Sequence, residues 1–511
     1  MCSVDPDEIV EMTRATGGLD LSSGNVTCRK CNTEKAVVVL RMKDAYCREC
    51  FLSYFVHKFR STIGKSKQIR LGDQILIATS GGVSSSALLH LVREGLDESS
   101  HKKLRFEPAC LYIDESCLSD DSPDAGPEFV QQVCNRVLSR KFPCYVISLE
   151  HIMSSQPPVP TLYIEDGSAE LSTSLELKEQ LRKLLSSCKT DSAKQDLLEQ
   201  LRRELLCQCA GALGYSKIFL ADNATSLSVS ILSNVALGRG SQLSDRVHFK
   251  ARHKDIEIYR PMRELLQNEI HYYNDLHEIS TVEAPSFKHK GSSIISCTEQ
   301  FVMGLQKEFP ATIPTIFRTG DKLVSTSTEM SKCSTPELND HIDTDFSPIM
   351  LCVMCGLQLD TLQSESSAVQ ATIVSQRLSR IVAPTTKPEE SVAEDTNCSY
   401  DTSSTSNIPP QEHSLDNVKS NNGCTVSSNG VGTNSCDCSQ QTCCSSSKDK
   451  ALLDANNSVP KDILDGYLCY GCRIIVRELE EVNRLPIKVR GSVAEQERRK
   501  HMREQIQDFL L

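Results

Sequence analysis

Apolar and polar positions in the first half of the chain alternate between two periods. Gln74–Thr79 (QILIAT) is a nearly continuous apolar run, with the length and composition of a strand buried on both faces. Ser80-Gly81-Gly82-Val83-Ser84-Ser85 follows it, and a helical pattern covers Ser86–Arg93. The alternation continues through strand-like Phe106–Asp114, helix-like Phe129–Ser139, strand-like Cys144–Leu149 and strand-like Lys217–Ala221. Strands separated by helical segments predict βαβ units, hence an α/β fold built on a doubly wound parallel sheet with ligands at the carboxyl ends of its strands. Leu171–Gly211 carries the longest helical signal. Its leucines 184, 185, 197, 198, 201, 205 and 206 share a stripe of helical period, which reads as a core-facing helix.

Composition changes near Ala383. From there to about Pro460, Ser, Thr, Asn and Asp dominate and Tyr400 is nearly the only aromatic, so the stretch cannot bury enough apolar surface to offset its ordering entropy. It is expected to be a disordered insertion. The length of 511 residues suggests about three units. The boundaries fall at 1–70 for an N-terminal cysteine module, 71–300 for the α/β domain, 301–382 for a helical region with half of a second cysteine module, 383–460 for the insertion, and 461–511 for the other half with a basic tail. No apolar run reaches the roughly 20 residues that span a bilayer. Asp5, Asp7, Glu8 and Glu11 stand where a secretory signal would begin with bases, so a soluble, cytoplasmic protein is expected.

A formal charge of −11 argues against a general polycation, but the charge is segregated. Cys28–Arg70 holds 11 basic residues against 3 acidic, Arg246–Arg263 holds 6 against 2, and Arg484–Arg503 holds 7 against 2. Any one stretch reads as a solvated face; three together point to nucleic acid.

Two chemistries are written into this frame. Two glycines after an apolar strand let backbone N–H groups turn inward, hydroxyls flank them, and the following helix aims its positive end into the loop, which is the make-up of a phosphate cradle. Ser80, Gly81, Gly82, Ser84 and Ser85 are its candidate residues, and no Lys follows Gly82 as a Walker loop would require. The second chemistry is metal binding. Cys28-x-x-Cys31 and Cys47-x-x-Cys50 stand fifteen residues apart, a spacing suited to one closed four-thiolate site, structural in kind, filled by zinc or by an iron–sulfur cluster. Cys352-x-x-Cys355 and Cys469-x-x-Cys472 form either a second such site split by the insertion, since loop closure costs little extra with length, or two unrelated pairs.

The loop resembles the S-G-G-x-D-S loop of the N-type ATP pyrophosphatases, with Ser84 in place of the Asp. Taken with the N-terminal knuckle, the later Asp222-Asn223-Ala224 turn, Arg260-Pro261 and the split ribbon in one order, the chain resembles the cytosolic tRNA 2-thiolation enzymes over most of its length outside the insertion. Within that family the likeness is to the partner subunit of the pair. The resemblance implies zinc in both modules, ATP as the nucleotide, with Asp222 and Asn223 joining the loop at a degenerate site, and tRNA as a partner. It further implies 2-thiolation of the wobble uridine, ATP activating the C2 oxygen, a heterodimer with a catalytic homologue, and sulfur supplied by a thiocarboxylated ubiquitin-like carrier.

The departures fall where chemistry would happen. Ser84 replaces the loop Asp; Asn223-Ala224-Thr225-Ser226 stands where active members have Asn-Ala-Asp-Asp; Leu198 stands where a cysteine precedes the Arg202-Arg203 pair; and no cysteine lies between Pro261 and Ser296. Cys207 and Cys209 are off the motif and read as buried helix cysteines. Three readings follow: a non-catalytic or weakly catalytic subunit, a self-sufficient ATP-dependent thiolase or ligase using Ser84, Asp222 or Asp114, and a zinc-bearing scaffold without nucleotide.

Overall fold

The structure, a computed structural model, describes residues 26–40, 44–97, 103–118, 125–164, 173–282, 293–323, 351–357, 359 and 459–507. All of them belong to one of the chain's two compact units, 1–368 with 450–511. The Ser/Thr/Asn-rich stretch lies outside the described residues as far as 458.

The N-terminal module is a hairpin, β1 (Val38–Leu40) with β2 (Asp44–Tyr46), leading into α1 (Arg48–Ser66). Phe51, Phe55, Phe59 and Ile63 recur every fourth residue and are all buried, so one stripe of α1 docks on the α/β domain. β3 (Gln74–Thr79) comes next. Ile75 and Ile77 face one apolar layer and Leu76 the other, all with zero exposure, as the period of a doubly covered strand requires. The chain continues as α2 (Val83–Leu96), β4 (Glu107–Asp114), α3 (Ala125–Ser139), β5 (Cys144–Ser148), β6 (Thr161–Tyr163), α4 (Leu175–Ser186) and α5 (Asp191–Ala212). After these come β7 (Lys217–Phe219), α6 (Ala224–Ala236), α7 (Leu243–Val247), β8 (Lys250–His253), β9 (Ile256–Tyr259) and α8 (Gln267–Leu276). The remaining helices are α9 (Ile294–Glu308), α10 (Thr312–Asp321), α11 (Lys461–Asp465), α12 (Tyr470–Arg477) and α13 (Ile487–Gln507).

The main sheet runs β6-β5-β4-β3-β7-β9-β8, parallel from β5 to β9 with an antiparallel strand at each edge. Helices cover both faces, so the doubly wound α/β architecture expected from the sequence is present. From β3 the chain passes to β4 on one side and later to β7 on the other. The strand order therefore switches at β3, and the crevice at a switch point is where such sheets hold ligands.

Three details differ from the sequence expectations. The long leucine-rich helix is two helices, because residues 187–190 leave helical geometry to pair with the segment after α12, Lys189 N donating to Glu478 O and Glu480 N to Ser187 O. Thr190 then caps α5, its hydroxyl accepting from Ala193 N. A hairpin, β8 with β9, occupies the second basic stretch and carries no Asn-Gly signal at its Lys254-Asp255 turn. That stretch is also not a basic face. Arg246, Arg260 and Arg263 are buried and paired with Glu199, Asp222 and Asp321, leaving only its Lys250, Arg252 and Lys254 toward solvent.

Arg260 is the weld of this region. With zero exposure it donates to Asp222 Oδ2 at 2.9 Å, His248 O at 2.8 Å and Asp245 O at 3.3 Å, and burial pulls its guanidinium down to about 10. Asp222 is 37% exposed and can rehydrate, so removing Arg260 costs chiefly its buried hydrogen bonds to the two carbonyls, about 1–3 kcal/mol. Arg260→Ala is expected to lose that much in urea unfolding; a loss under about 1 kcal/mol, the worth of an exposed pair, would contradict this role.

Candidate nucleotide loop and metal centres

The loop Ser80–Gly82 leaves the carboxyl end of β3 and turns directly into α2. Gly81 takes φ +79°, and a Cβ there would meet Val133 Cγ2 at 2.7 Å, so only glycine fits. Gly82 is the N-cap of α2, and no side chain caps that helix, so its first N–H groups face the loop. Ser80 Oγ donates to Ser85 Oγ at 3.2 Å, Ser85 Oγ to Gly82 O at 2.9 Å and Ser86 Oγ to Gly81 O at 3.1 Å. The structure thus brings Ser80, Gly81, Gly82, Ser84 and Ser85 together with Asn223, and Asp222 adjoins them through the chain.

The hydroxyls of Ser84, Thr225 and Ser226, at the positions where the sequence resemblance places acids, each have a structural task here. Asn223 Nδ2 donates to Ser84 Oγ at 3.1 Å and to Gln267 Oε1 at 2.8 Å, which joins the loop to α8. Asn223 also caps α6, accepting from Ser226 N, while Ser226 Oγ accepts from Asn223 N. Thr225 Oγ1 accepts from Gln267 N at 3.1 Å. The acid that remains, Asp222, is held by Arg260. Asp114, at the end of β4, is buried, which raises its carboxyl, and it accepts from the Ser116 hydroxyl at 2.7 Å.

Among the described residues, no thiol takes the position where the resemblance places a cysteine ahead of the arginine pair. Leu198 lies in the core beside the paired Arg202 and Arg203, which meet Glu115 and Glu199. Burial pushes Cys207 and Cys209 up to about 12, so they stay protonated.

Both cysteine sets converge. In the N-terminal set Cys28, Cys31, Cys47 and Cys50 place their Sγ atoms within 4.8 Å of one another, and Cys352, Cys355, Cys469 and Cys472 do the same across a 114-residue separation between Cys355 and Cys469. Four converging thiols without another donor match a closed four-thiolate metal centre. Hydrogen bonds from the Thr33 side chain and from the Glu34 and Thr33 backbone lower Cys31 to about 6, which favours the ligating thiolate. The second set has a wall that the sequence did not signal. Gly471 leaves room for the Arg239 side chain, whose Nε would stand 2.7 Å from a Cβ, and Arg239 pairs with Asp196 of α5 at 2.5 Å in full burial. Cys352, Cys355 and Cys472 hold the Cys469 thiol low, and the buried Gln242 amide beside it adds to that. A further cavity of about 630 Å³ lies between α5 and α13, lined by Gln200, Glu204, Lys254, Met354, Lys488 and Val489 and by none of the loop residues.

Among known proteins, a family model described as "Cytoplasmic tRNA 2-thiolation protein 2" matches residues 293–474. The protein of that name from Danio rerio is 31% identical over 536 residues, covering 96% of each chain. Cytoplasmic tRNA 2-thiolation protein 2-A of Xenopus laevis is 31% identical over 561 residues, covering 100% of this chain and 99% of its own. Among solved structures, the U34-tRNA thiolase NcsA from Methanococcus maripaludis with its [4Fe-4S] cluster is 15% identical, with a TM-score of 0.43, over 58% of this chain and 86% of that one. At the identity and coverage of the two vertebrate relatives, the chain belongs to the cytoplasmic tRNA 2-thiolation protein 2 family.

Proposed function

We propose that this chain is a supporting subunit for 2-thiolation of the wobble uridine in cytosolic tRNAs, working as a heterodimer with a catalytic homologue that receives sulfur from a thiocarboxylated ubiquitin-like carrier. The names of its relatives carry the tRNA 2-thiolation and the cytoplasm. The observation that carries the subunit role is the Ser84–Asn223–Gln267 network with its neighbours Thr225 and Ser226, in which the hydroxyls of Ser84, Thr225 and Ser226 stand where the resemblance places acids. Adenylation needs acids free to hold magnesium and sulfur transfer needs an activated thiol; here Asp222 is held by Arg260 and Asp114 by the Ser116 hydroxyl, and Cys207 and Cys209 stay protonated. Ser80, Gly81, Gly82, Ser84, Ser85, Asp222 and Asn223 then form a degenerate ATP site that binds phosphate through loop N–H groups without turnover.

Zinc is the metal assigned to both cysteine sets, where it supplies folding energy rather than chemistry. tRNA is met by the exposed bases that structural pairs do not hold: Lys30, Lys35, Lys65, Lys67 and Arg70 near the N-terminal module, and Arg498, Lys500 and Arg503 on α13. Lys58 and Arg48 of the same basic stretch are taken up in anchoring α1, to Glu269 at 2.9 Å and to Leu276 O at 2.5 Å.

Depleting this chain from cells is expected to abolish wobble-uridine 2-thiolation, and Ser84→Ala is expected to restore it as fully as the parent. Nucleoside mass spectrometry reads both. Normal thiolation after depletion would overturn the functional reading, and failed rescue by Ser84→Ala would move the chemistry into this pocket. A second expectation concerns the metal. The Cys28→Ser/Cys31→Ser double variant should lose one metal equivalent and much soluble yield, so full occupancy by elemental analysis would sink the zinc assignment.

A further inference from the structure

Away from the loop and both cysteine sets, α2 and α8 bring together a third group of metal-binding donors. His90 and Glu94 are one turn apart on α2 and share a face, while His277 is the carboxyl cap of α8. One donor atom from each lies within 4.8 Å of the other two. The His90 and His277 rings are 4.6 Å apart, centre to centre.

The surroundings hold this group in place. The Tyr273 hydroxyl is 2.8 Å from His90 Nδ1 and donates to Glu94 Oε2 at 3.2 Å, and the Tyr273 ring stacks on Phe55 of α1 at 4.4 Å. His277 Nε2 is buried and has no hydrogen-bond partner, a costly state for a polar atom unless it meets a ligand. Burial lowers both imidazoles against the pull of Glu94, with His277 and Arg140 adding to it at His90 and Arg48 at His277.

We propose that His90, Glu94 and His277 form a three-ligand site for a borderline divalent metal such as Zn²⁺. Two imidazoles and one carboxylate suit that class of ion and leave a fourth position for water. Ligands about 2.0–2.2 Å from such an ion stand roughly 3.4 Å apart, so about an ångström of side-chain rotation closes the present spacing. The ion would staple α2 to α8 behind the loop: α2 starts at Val83, whose carbonyl accepts from Asn274 Nδ2 of α8 at 3.0 Å. This site is independent of the functional reading above.

Zn²⁺ titration of the full chain, followed by elemental analysis after removal of loose ion, tests it. The parent is expected to hold one equivalent more than either His277→Ala or Glu94→Gln. Because the reading is that difference, it does not depend on what the cysteine sets retain, and their metal reports that each variant is folded. Glu94 is on the surface, so Glu94→Gln should fold even if His277→Ala does not. In Co²⁺-loaded protein the extra equivalent should add visible d–d bands without thiolate charge transfer. Equal metal in the parent and Glu94→Gln, or an extra equivalent that brings thiolate charge transfer, would overturn the proposal and leave the Tyr273 network as a hydrogen-bond relay between α2 and α8.

Discussion

The carboxamide of Asn223 is the junction on which this site depends. One side chain caps α6, holds the Ser84 hydroxyl at the phosphate-type loop and grips Gln267 at the start of α8. Its position follows from the sheet. β7 ends four residues before Asn223, Arg260 beyond β9 fixes the neighbouring Asp222, and Gly81 permits the left-handed turn that brings Ser84 within reach. A hydroxyl-and-amide network satisfies itself without an ion, whereas two or three carboxylates at the same points would repel one another until a cation joined them. Ser84, Thr225 and Ser226 thus belong to a network that is satisfied without an ion.

The peripheral modules are tied to the same helices. α1 carries Lys58 to the fully buried Glu269 of α8 and stacks Phe55 on Tyr273, so the N-terminal cysteine set rests on the helix that begins at Gln267. The second set packs its Cys469–Cys472 turn against Arg239, which reaches Asp196 in α5. Both cysteine sets thus pack against the α/β domain through residues other than those of the loop.

Much of this was legible in residue patterns. The apolar run of β3, its alternation with helices and the paired cysteines each follow a local rule, and both the sheet and the two sets of four thiols follow from them. What escaped the sequence depends on tertiary contact. Arg246, Arg260 and Arg263 read as a basic face because their partners Glu199, Asp222 and Asp321 lie 47, 38 and 58 residues away. The break between α4 and α5 is imposed by residues 478–480, nearly three hundred positions on, with no glycine or proline to mark it. The His90–Glu94–His277 group joins an ordinary helix face to a helix end and has no spacing to betray it.

The central claim is that this pocket supports a reaction it does not perform, and pyrophosphate release is its most direct measure. Purified chain given ATP, Mg²⁺ and unmodified tRNA should release no pyrophosphate above background, and release should appear when the catalytic homologue is added. Tightly coupled release by this chain alone, lost in Ser84→Ala, would contradict the account.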